Sequence, residues 1–447
     1  VSAAEPIDLE DIRRRARGVF GPHDLDRNEP AVTKPPWPTL DDAALQGLLG
    51  DVVRTIDPTT EADQVATAAT FLVMFGSCVG RGPYLMVGDD RHGTNFYAVL
   101  VGDTAIARKG TSLSGPRRLM GDVDEPWLNE RVQGGVSTGE GLLWAIRDAI
   151  YGTNKKTGEQ EIVDRGIEDK RLFCNEEELS FILKVATRQG NTLSEIMRRA
   201  WDSRDTLRIM TKASPVSASN PHVSFLAHIT EEELRREISD VSLVNGFANR
   251  FAWFKVRRSK FLSNPVRMTP AQASPLVHRI AEARKFALPV GEMRRDPEAS
   301  EMWDAVYPTL STGRPGLSGA LTARSAPMVL RLSLIYALLD CSKHIRVPHL
   351  EAALAVWDYA DASVRSIFGD LTGDAIADRI LAVIRSDGDQ SRRDISDLFG
   401  RNVSSARIGQ ALELLLADGK VESYKVEPEG LGRPATYYRA KRVRASA

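Results

Sequence analysis

Between Asn95 and Ser259 four short apolar runs alternate with stretches of helical periodicity, and no other feature of the sequence restricts the fold as strongly. The runs are Phe96 to Val101, Arg171 to Cys174, Val223 to Ala227 and Phe251 to Val256. Strands joined by helices lie parallel, because a parallel pair needs a crossover long enough to hold one. An α/β fold with an open parallel sheet is therefore expected. Each run ends in polar residues, where the loops of such a sheet collect ligands.

The first run passes through a small-residue turn into a basic, hydroxyl-bearing segment: Val99-Leu100-Val101-Gly102-Asp103-Thr104-Ala105-Ile106-Ala107-Arg108-Lys109-Gly110-Thr111-Ser112. With the helical pattern from Ser112 to Met120, this is the context of a phosphate-binding loop. Amides at the helix start face an anion, Lys109 reaches the β and γ phosphates of ATP, and Thr111 or Ser112 holds Mg²⁺. Gly102, Asp103, Thr104, Arg108 and Gly110 complete the nucleotide-binding set. The spacing departs from G-x-x-x-x-G-K-[ST], since Arg108 stands where glycine is usual and the first glycine lies one residue too far. A plain strand-to-helix turn is the competing reading.

Composition narrows the class. The 447 residues, 42% hydrophobic and 27% charged, suit a globular protein with two or three cores. No stretch approaches ~20 uninterrupted apolar residues, and acids and bases alternate at the start, so neither a membrane span nor a secretory leader is expected, and a cytoplasmic location is. Cys78, Cys174 and Cys341 are scattered in apolar surroundings, which suits buried thiols rather than disulfides or zinc. A formal charge of -1 excludes a globally basic coat and leaves room for a local basic groove.

Four segments are expected. Residues 1–40 form an arm with a Pro-rich connector, and 41–264 form the α/β core. Residues 265–370 form an α-helical lid, and 371–447 hold three helices and two strands in the order of a winged helix-turn-helix. Thr60 is read as the cap of a helix covering Val65 to Val79. The Gly-, Lys- and Glu-rich stretch near 151–170 is read as a mobile surface loop.

Three polar clusters follow the later runs. The second run ends in Asn175-Glu176-Glu177-Glu178, which beside a phosphate loop reads as the acidic element that organises Mg²⁺ and activates water. Asn175 stands where Asp is common, so Glu176 and Glu177 are the working pair, Glu176 on the metal and Glu177 on the water. An acidic first turn of a helix is the plainer alternative. The third run ends in His228-Ile229-Thr230: His228 is a candidate γ-phosphate sensor, and Thr230 with Glu233 forms a capping box. Before the fourth run, Asn245-Gly246-Phe247-Ala248-Asn249-Arg250-Phe251 frames Arg250 between aromatics, as an arginine finger for a neighbouring subunit or as a surface ion pair.

Taken in order, these elements resemble an AAA+/RecA-type P-loop NTPase core. With Leu330-Arg331-Leu332-Ser333-Leu334-Ile335-Tyr336-Ala337-Leu338-Leu339-Asp340, they resemble the helicase-like ATPase module of primase-helicases carried by prophages, plasmids and integrated elements. The resemblance covers roughly residues 40 to 370. It implies a Mg²⁺-dependent, ATP-hydrolysing DNA motor acting as a homo-oligomer, a hexameric ring on single-stranded or forked DNA, with a separate primase as partner. An ATP-responsive initiator or regulator without translocation is the alternative. It also makes Arg324 the second sensor arginine, with Arg331 as substitute, and places Lys212 in an interval that tracks DNA in related motors. On the C-terminal unit Arg407 and Gln410 of the third helix and Arg433 of the wing are the expected DNA contacts.

Overall fold

The computed structural model describes residues 36–103, 109–154, 157–210, 216–238, 246–314, 316–369, 371–400, 402–427 and 434–441. Thr104, Arg108, Lys212 and Arg433 lie outside the described residues. Five parallel strands form the central sheet: β1 (Tyr97–Val101), β2 (Val132–Gln133), β3 (Arg171–Glu176), β4 (His222–Ile229) and β5 (Ala252–Lys255). Their spatial order is β5-β1-β4-β3-β2. Every residue of β1 and of β4 is buried. Strands covered on both faces read as continuous apolar runs, which is why these two were visible in the sequence.

Parallel register assigns side chains to faces. Leu226 pairs with Asn175 and Ala227 with Glu176, so Leu226, His228 and Asn175 share one face and Glu176 lies on the other. Helix α1 (Gln64–Val79) covers the first face, where the His222 ring nitrogen Nε2 meets the Gly76 carbonyl at 2.9 Å. Helix α2 (Ser114–Val123) packs on α1. Helix α3 (Leu193–Trp201) covers the second face, its Met197 carbonyl accepting from the Tyr97 hydroxyl at 3.0 Å. Helix α4 (Glu231–Glu237) follows β4 and opens with the expected Thr230–Glu233 capping box.

Helix α1 begins three residues later than the cap at Thr60 implied. Its cap is Asp63, whose carboxylate accepts from the Val65 amide at 3.0 Å. The preceding residues are claimed from outside: the Glu61 carbonyl takes the Ser259 amide, and the second Asp63 oxygen takes Arg257. These tertiary bonds hold residues 60–62 out of the helix.

Helices α5 (Ser325–Leu339) and α6 (Val347–Phe368) complete the larger body. α6 covers the edge strand: the Lys255 amide donates to Ser363 Oγ at 3.0 Å, and the Tyr359 hydroxyl donates to the Lys255 carbonyl at 2.6 Å. One hydrophobic core runs from Ala44 to Phe368 through the sheet and all these helices. Position 264/265 is therefore no break in packing. A second core, from Ala377 to Tyr438, joins helices Ala375–Asp387, Arg392–Leu398 and Ser405–Ala417 to a three-stranded sheet of Gln390–Ser391, Ala435–Ala440 and Val421–Val426.

The stretch near 151–170 contains a hairpin, Ile150–Thr153 with Gln160–Asp164, where the composition read as loop. The Arg147 guanidinium clamps its base by two bonds to Asp164, 2.7 and 3.0 Å. A second hairpin, Thr206–Ile209 with Val216–Ser219, lies alongside, joined through Asp148, which accepts from the Ser219 amide at 2.9 Å. Among the described residues no helix is long and apolar enough to cross a membrane.

Candidate functional site

The carboxyl ends of β1 and β4 are neighbours. Beyond β1 the chain reaches α2, which packs on α1; after β4 it enters α4, which packs with Leu179–Ala186 and α6. The carboxyl ends of strands are where an open α/β sheet takes its ligand. Lys109 lies at this edge. The ammonium donates to the Gly102 carbonyl just past β1 and to the Ile229 carbonyl that ends β4, the latter at 3.0 Å. Burial pulls its pKa down, opposed by Glu233 and Asp103 nearby.

Ser112 and Thr111, the two candidate hydroxyls, separate. Ser112 is buried, donates to the Lys109 carbonyl at 2.6 Å and lies 3.4 Å from the Thr70 hydroxyl of α1, so it closes the turn. Thr111 lines a cleft of about 370 Å³ with Thr59, Glu61 and Leu262. Gly110 sits in the same 3-10 turn, Lys109–Leu113, that leads into α2.

The acids separate as well. Glu176 accepts the Gly135 and Val136 amides at 3.1 and 2.8 Å, and burial raises its pKa against those two bonds. It clamps the segment after β2, on the face away from Asn175. That approach needs glycine: a Cβ on Gly134 would lie 2.6 Å from the Asn175 carbonyl oxygen, and Gly135 has φ +82. Glu177 is exposed beyond the strand end, where it lines a pocket of about 390 Å³ with Gly134, Asn175, Glu176 and Glu178. No sequence pattern signals the Gly134–Glu176 clamp, because β2 has only two residues and no apolar run.

Among the described residues, Asn175 Oδ1 and His228 Nε2 are two of fourteen buried side-chain atoms without a hydrogen-bond partner. His228 is 5% exposed, and burial, with Lys109 close by, pushes its pKa down to about 4. The imidazole is therefore neutral at physiological pH.

The arginines gather at the opposite edge, where strands begin. Arg250 precedes β5 and binds Asp202 through Nη2 at 2.9 and 3.0 Å, and donates to the Gly246 carbonyl at 2.6 Å, a residue with φ +71. Arg324 donates to Asn249 at 3.2 Å and reaches Asp202 at 3.8 Å. Arg331 is 1% exposed and donates to the Asn95 and Trp201 carbonyls at 2.8 and 2.6 Å. All three stand over Trp201, Arg331 at 4.2 Å, Arg324 at 5.2 Å and Arg250 at 5.6 Å from the ring centre. From Asn95 to Gly102 the chain advances on the order of 20 Å at ~3.3 Å per residue, so none of these arginines shares the Lys109 crevice of its own chain. Trp201 and Asp202, which organise the cluster, were not singled out from the sequence.

In the C-terminal unit Arg407 turns inward to Asp374, the cap of helix Ala375–Asp387. Gln410 is exposed beside Ser405, Ala406 and Glu413. Arg407 is the one cation in Ser405–Ala417, so that helix offers no free guanidinium to a groove.

Burial of neutral imidazoles carries a pH signature. His92 and His228 are held down to about 4 and His222 to about 3, chiefly by desolvation. Unfolded histidine titrates near ~6.5, and each unit of separation is worth about 1.4 kcal/mol. Below the unfolded value the unfolded chain binds more protons, so stability present above about pH 6.5 is lost as pH falls toward the folded values. Urea midpoints should drop markedly between pH 7 and pH 5, and His222→Gln should flatten the drop. A midpoint unchanged over that interval would contradict buried neutral histidines.

No protein-family model matches the chain, and no curated protein matches it.

Proposed function

We propose that this chain is a Mg²⁺-dependent, ATP-hydrolysing DNA motor that works as a ring of identical subunits, with a P-loop NTPase core and a C-terminal winged helix. The observation that carries this is the Lys109 ammonium, placed at the carboxyl ends of two adjacent parallel strands with His228 close by. A cation on a crevice floor, beside a helix start, binds a polyphosphate. Thr111 would hold Mg²⁺, which supplies charge neutralisation on the β and γ phosphates, and Glu177 would take the proton of the attacking water. Glu176, whose oxygens accept the Gly135 and Val136 amides, lines the same pocket as Asn175 and Glu177.

Oligomerisation follows from the edge that holds the arginines. Asp202 is shared between Arg250 and Arg324, with Arg331 close behind, so the edge carries surplus positive charge. A third of the Arg324 side chain is exposed. In a head-to-tail ring this edge meets a neighbour's crevice, and Arg324 then meets the terminal phosphate there, with Arg250, 6% exposed, held behind it on Asp202. The hairpin Thr206–Ile209 with Val216–Ser219 supports DNA contact, since it brackets the interval that contains Lys212. The winged helix adds less, because its third helix is nearly uncharged.

ATP hydrolysis measured with and without single-stranded DNA, alongside native mass, tests this. Stimulation by DNA and a multimeric mass support the motor; a monomer whose hydrolysis ignores DNA refutes it. Strand displacement on a forked substrate distinguishes a helicase from an initiator that uses ATP only to assemble.

A further inference from the structure

We propose that the C-terminal unit binds single-stranded nucleic acid on the outer face of its three-stranded sheet, with bases stacked on Tyr424 and Tyr437 and phosphates against Arg439 and Lys441. The inference does not depend on the hydrolase reading, because it uses no residue of the Lys109 crevice. Register separates the two faces of the sheet. Val421 and Tyr438 point into the unit's own core, so their strand neighbours face outward, where Glu422 pairs with Arg439, Tyr424 with Tyr437 and Val426 with Ala435. The outward face of such a sheet is ordinarily polar. Here its centre is aromatic: the two half-buried tyrosine rings stack with centres 5.9 Å apart and 25° between their planes, and neither is part of the core. The Arg439 guanidinium lies 4.8 Å from the Tyr424 ring centre, held there by Asp389, which accepts from Arg439 Nε at 2.9 Å and from the Tyr424 hydroxyl.

Charge selects the occupant. A cleft of about 700 Å³ on this unit is lined by Arg385, Arg439 and Lys441, with Asp389 and Glu422 as its acids. Asp389 is already engaged by Arg439 and Tyr424, Lys441 is exposed, and 53% of the Arg439 side chain is open to solvent. From Gly430 to Ala447 the sequence carries Arg433, Arg439, Lys441, Arg442 and Arg444 and no acid. Aromatic rings beside a line of cations match a chain in which bases alternate with phosphates. A duplex fits less well, since its bases are stacked on one another. The helix that would enter its groove, Ser405–Ala417, also turns its single cation to Asp374.

The test uses the full chain without nucleotide. Affinity for a fluorescein-labelled oligothymidylate is read by anisotropy, and contact by photocrosslinking the same oligonucleotide with iodouracil in place of thymine, the crosslinked peptide being mapped by mass spectrometry. Crosslinks should fall on Tyr424 or Tyr437, which locates this face even if the chain holds DNA elsewhere as well. Tyr437→Leu should fold, its ring lying outside the core, and bind about 10-fold more weakly, whereas Tyr437→Phe should stay within about 2-fold of wild type. Lys441→Ala should flatten the slope of log affinity against log salt by about 0.7. The inference is overturned if crosslinks map only to other segments, if Tyr437→Leu binds like wild type, or if the wild type prefers a duplex of the same length. Displacement of the oligonucleotide by an equal concentration of oligoglutamate also overturns it, by making the face a site for acidic peptides. A chain that hydrolyses no ATP leaves all these outcomes unaltered, so the two readings fail separately.

Discussion

Arg331→Ala is expected to leave little soluble, folded protein. The guanidinium is buried, bonds the Asn95 and Trp201 carbonyls at 2.8 and 2.6 Å and lies 4.2 Å from the Trp201 ring centre. Alanine strands those acceptors at about 1–3 kcal/mol each and leaves a hole over the indole. The sum approaches the ~5–15 kcal/mol that holds a typical domain together. Lysine should not rescue it, because an ammonium cannot span separate carbonyls as a planar fork does. Circular dichroism and thermal melting decide the matter. A variant that melts like wild type yet no longer hydrolyses ATP would restore Arg331 to the sensor role that the sequence resemblance implied.

Lys109→Ala is expected to fold and to lose hydrolysis by at least about 10³-fold, because among the described residues its ammonium bonds backbone carbonyls and its loss breaks no core. Arg324→Ala should lose a comparable factor for a different reason, since an arginine supplied across an interface is worth about 10³–10⁵ in turnover, and a third of this side chain is exposed. The two defects lie at opposite edges of the sheet, so they should complement. Co-assembled Lys109→Ala and Arg324→Ala subunits should recover hydrolysis at about a quarter of their interfaces, where an intact crevice faces an intact arginine. Asp202 keeps Arg250 as partner when Arg324 is removed, which favours a folded variant. Steady-state hydrolysis of the mixture against each parent is the measurement. No recovery on mixing would place Arg324 in a role confined to its own chain.

The parts of the fold that the sequence disclosed are those whose energetics are local or periodic. β1, β3, β4 and β5 each carry an apolar run because helices cover both faces, and the Thr230–Glu233 box is set by a spacing of three. The parts it hid depend on distant partners. β2 is too short for a pattern, and the hairpin at Ile150 is fixed by Arg147 and Asp148, whose bonds to Asp164 and Ser219 no window of sequence contains. The same holds at the candidate site. Lys109 and His228 stand at strand ends where polar residues draw notice. Glu176 and Glu177 look equivalent in a row of acids until the two-residue alternation of the strand sends Glu176 to the wrong face. Arg250, Arg324 and Arg331 could be named but not placed, because Trp201 and Asp202 collect them through contacts more than a hundred residues apart for Arg324 and Arg331.

The parking of Lys109 on the Gly102 and Ile229 carbonyls has a thermodynamic consequence. A phosphate entering the crevice does not meet a solvated ammonium; it competes with two oxygens already bonded to it. On the proposed function, nucleotide affinity would be an exchange energy, the difference between phosphate and carbonyl partners, and smaller than the contact alone would yield. In return the chain is already ordered at that point, so little side-chain entropy would be surrendered on binding. Release of spent nucleotide would be helped by the same carbonyls, which would take the lysine back as the phosphates depart.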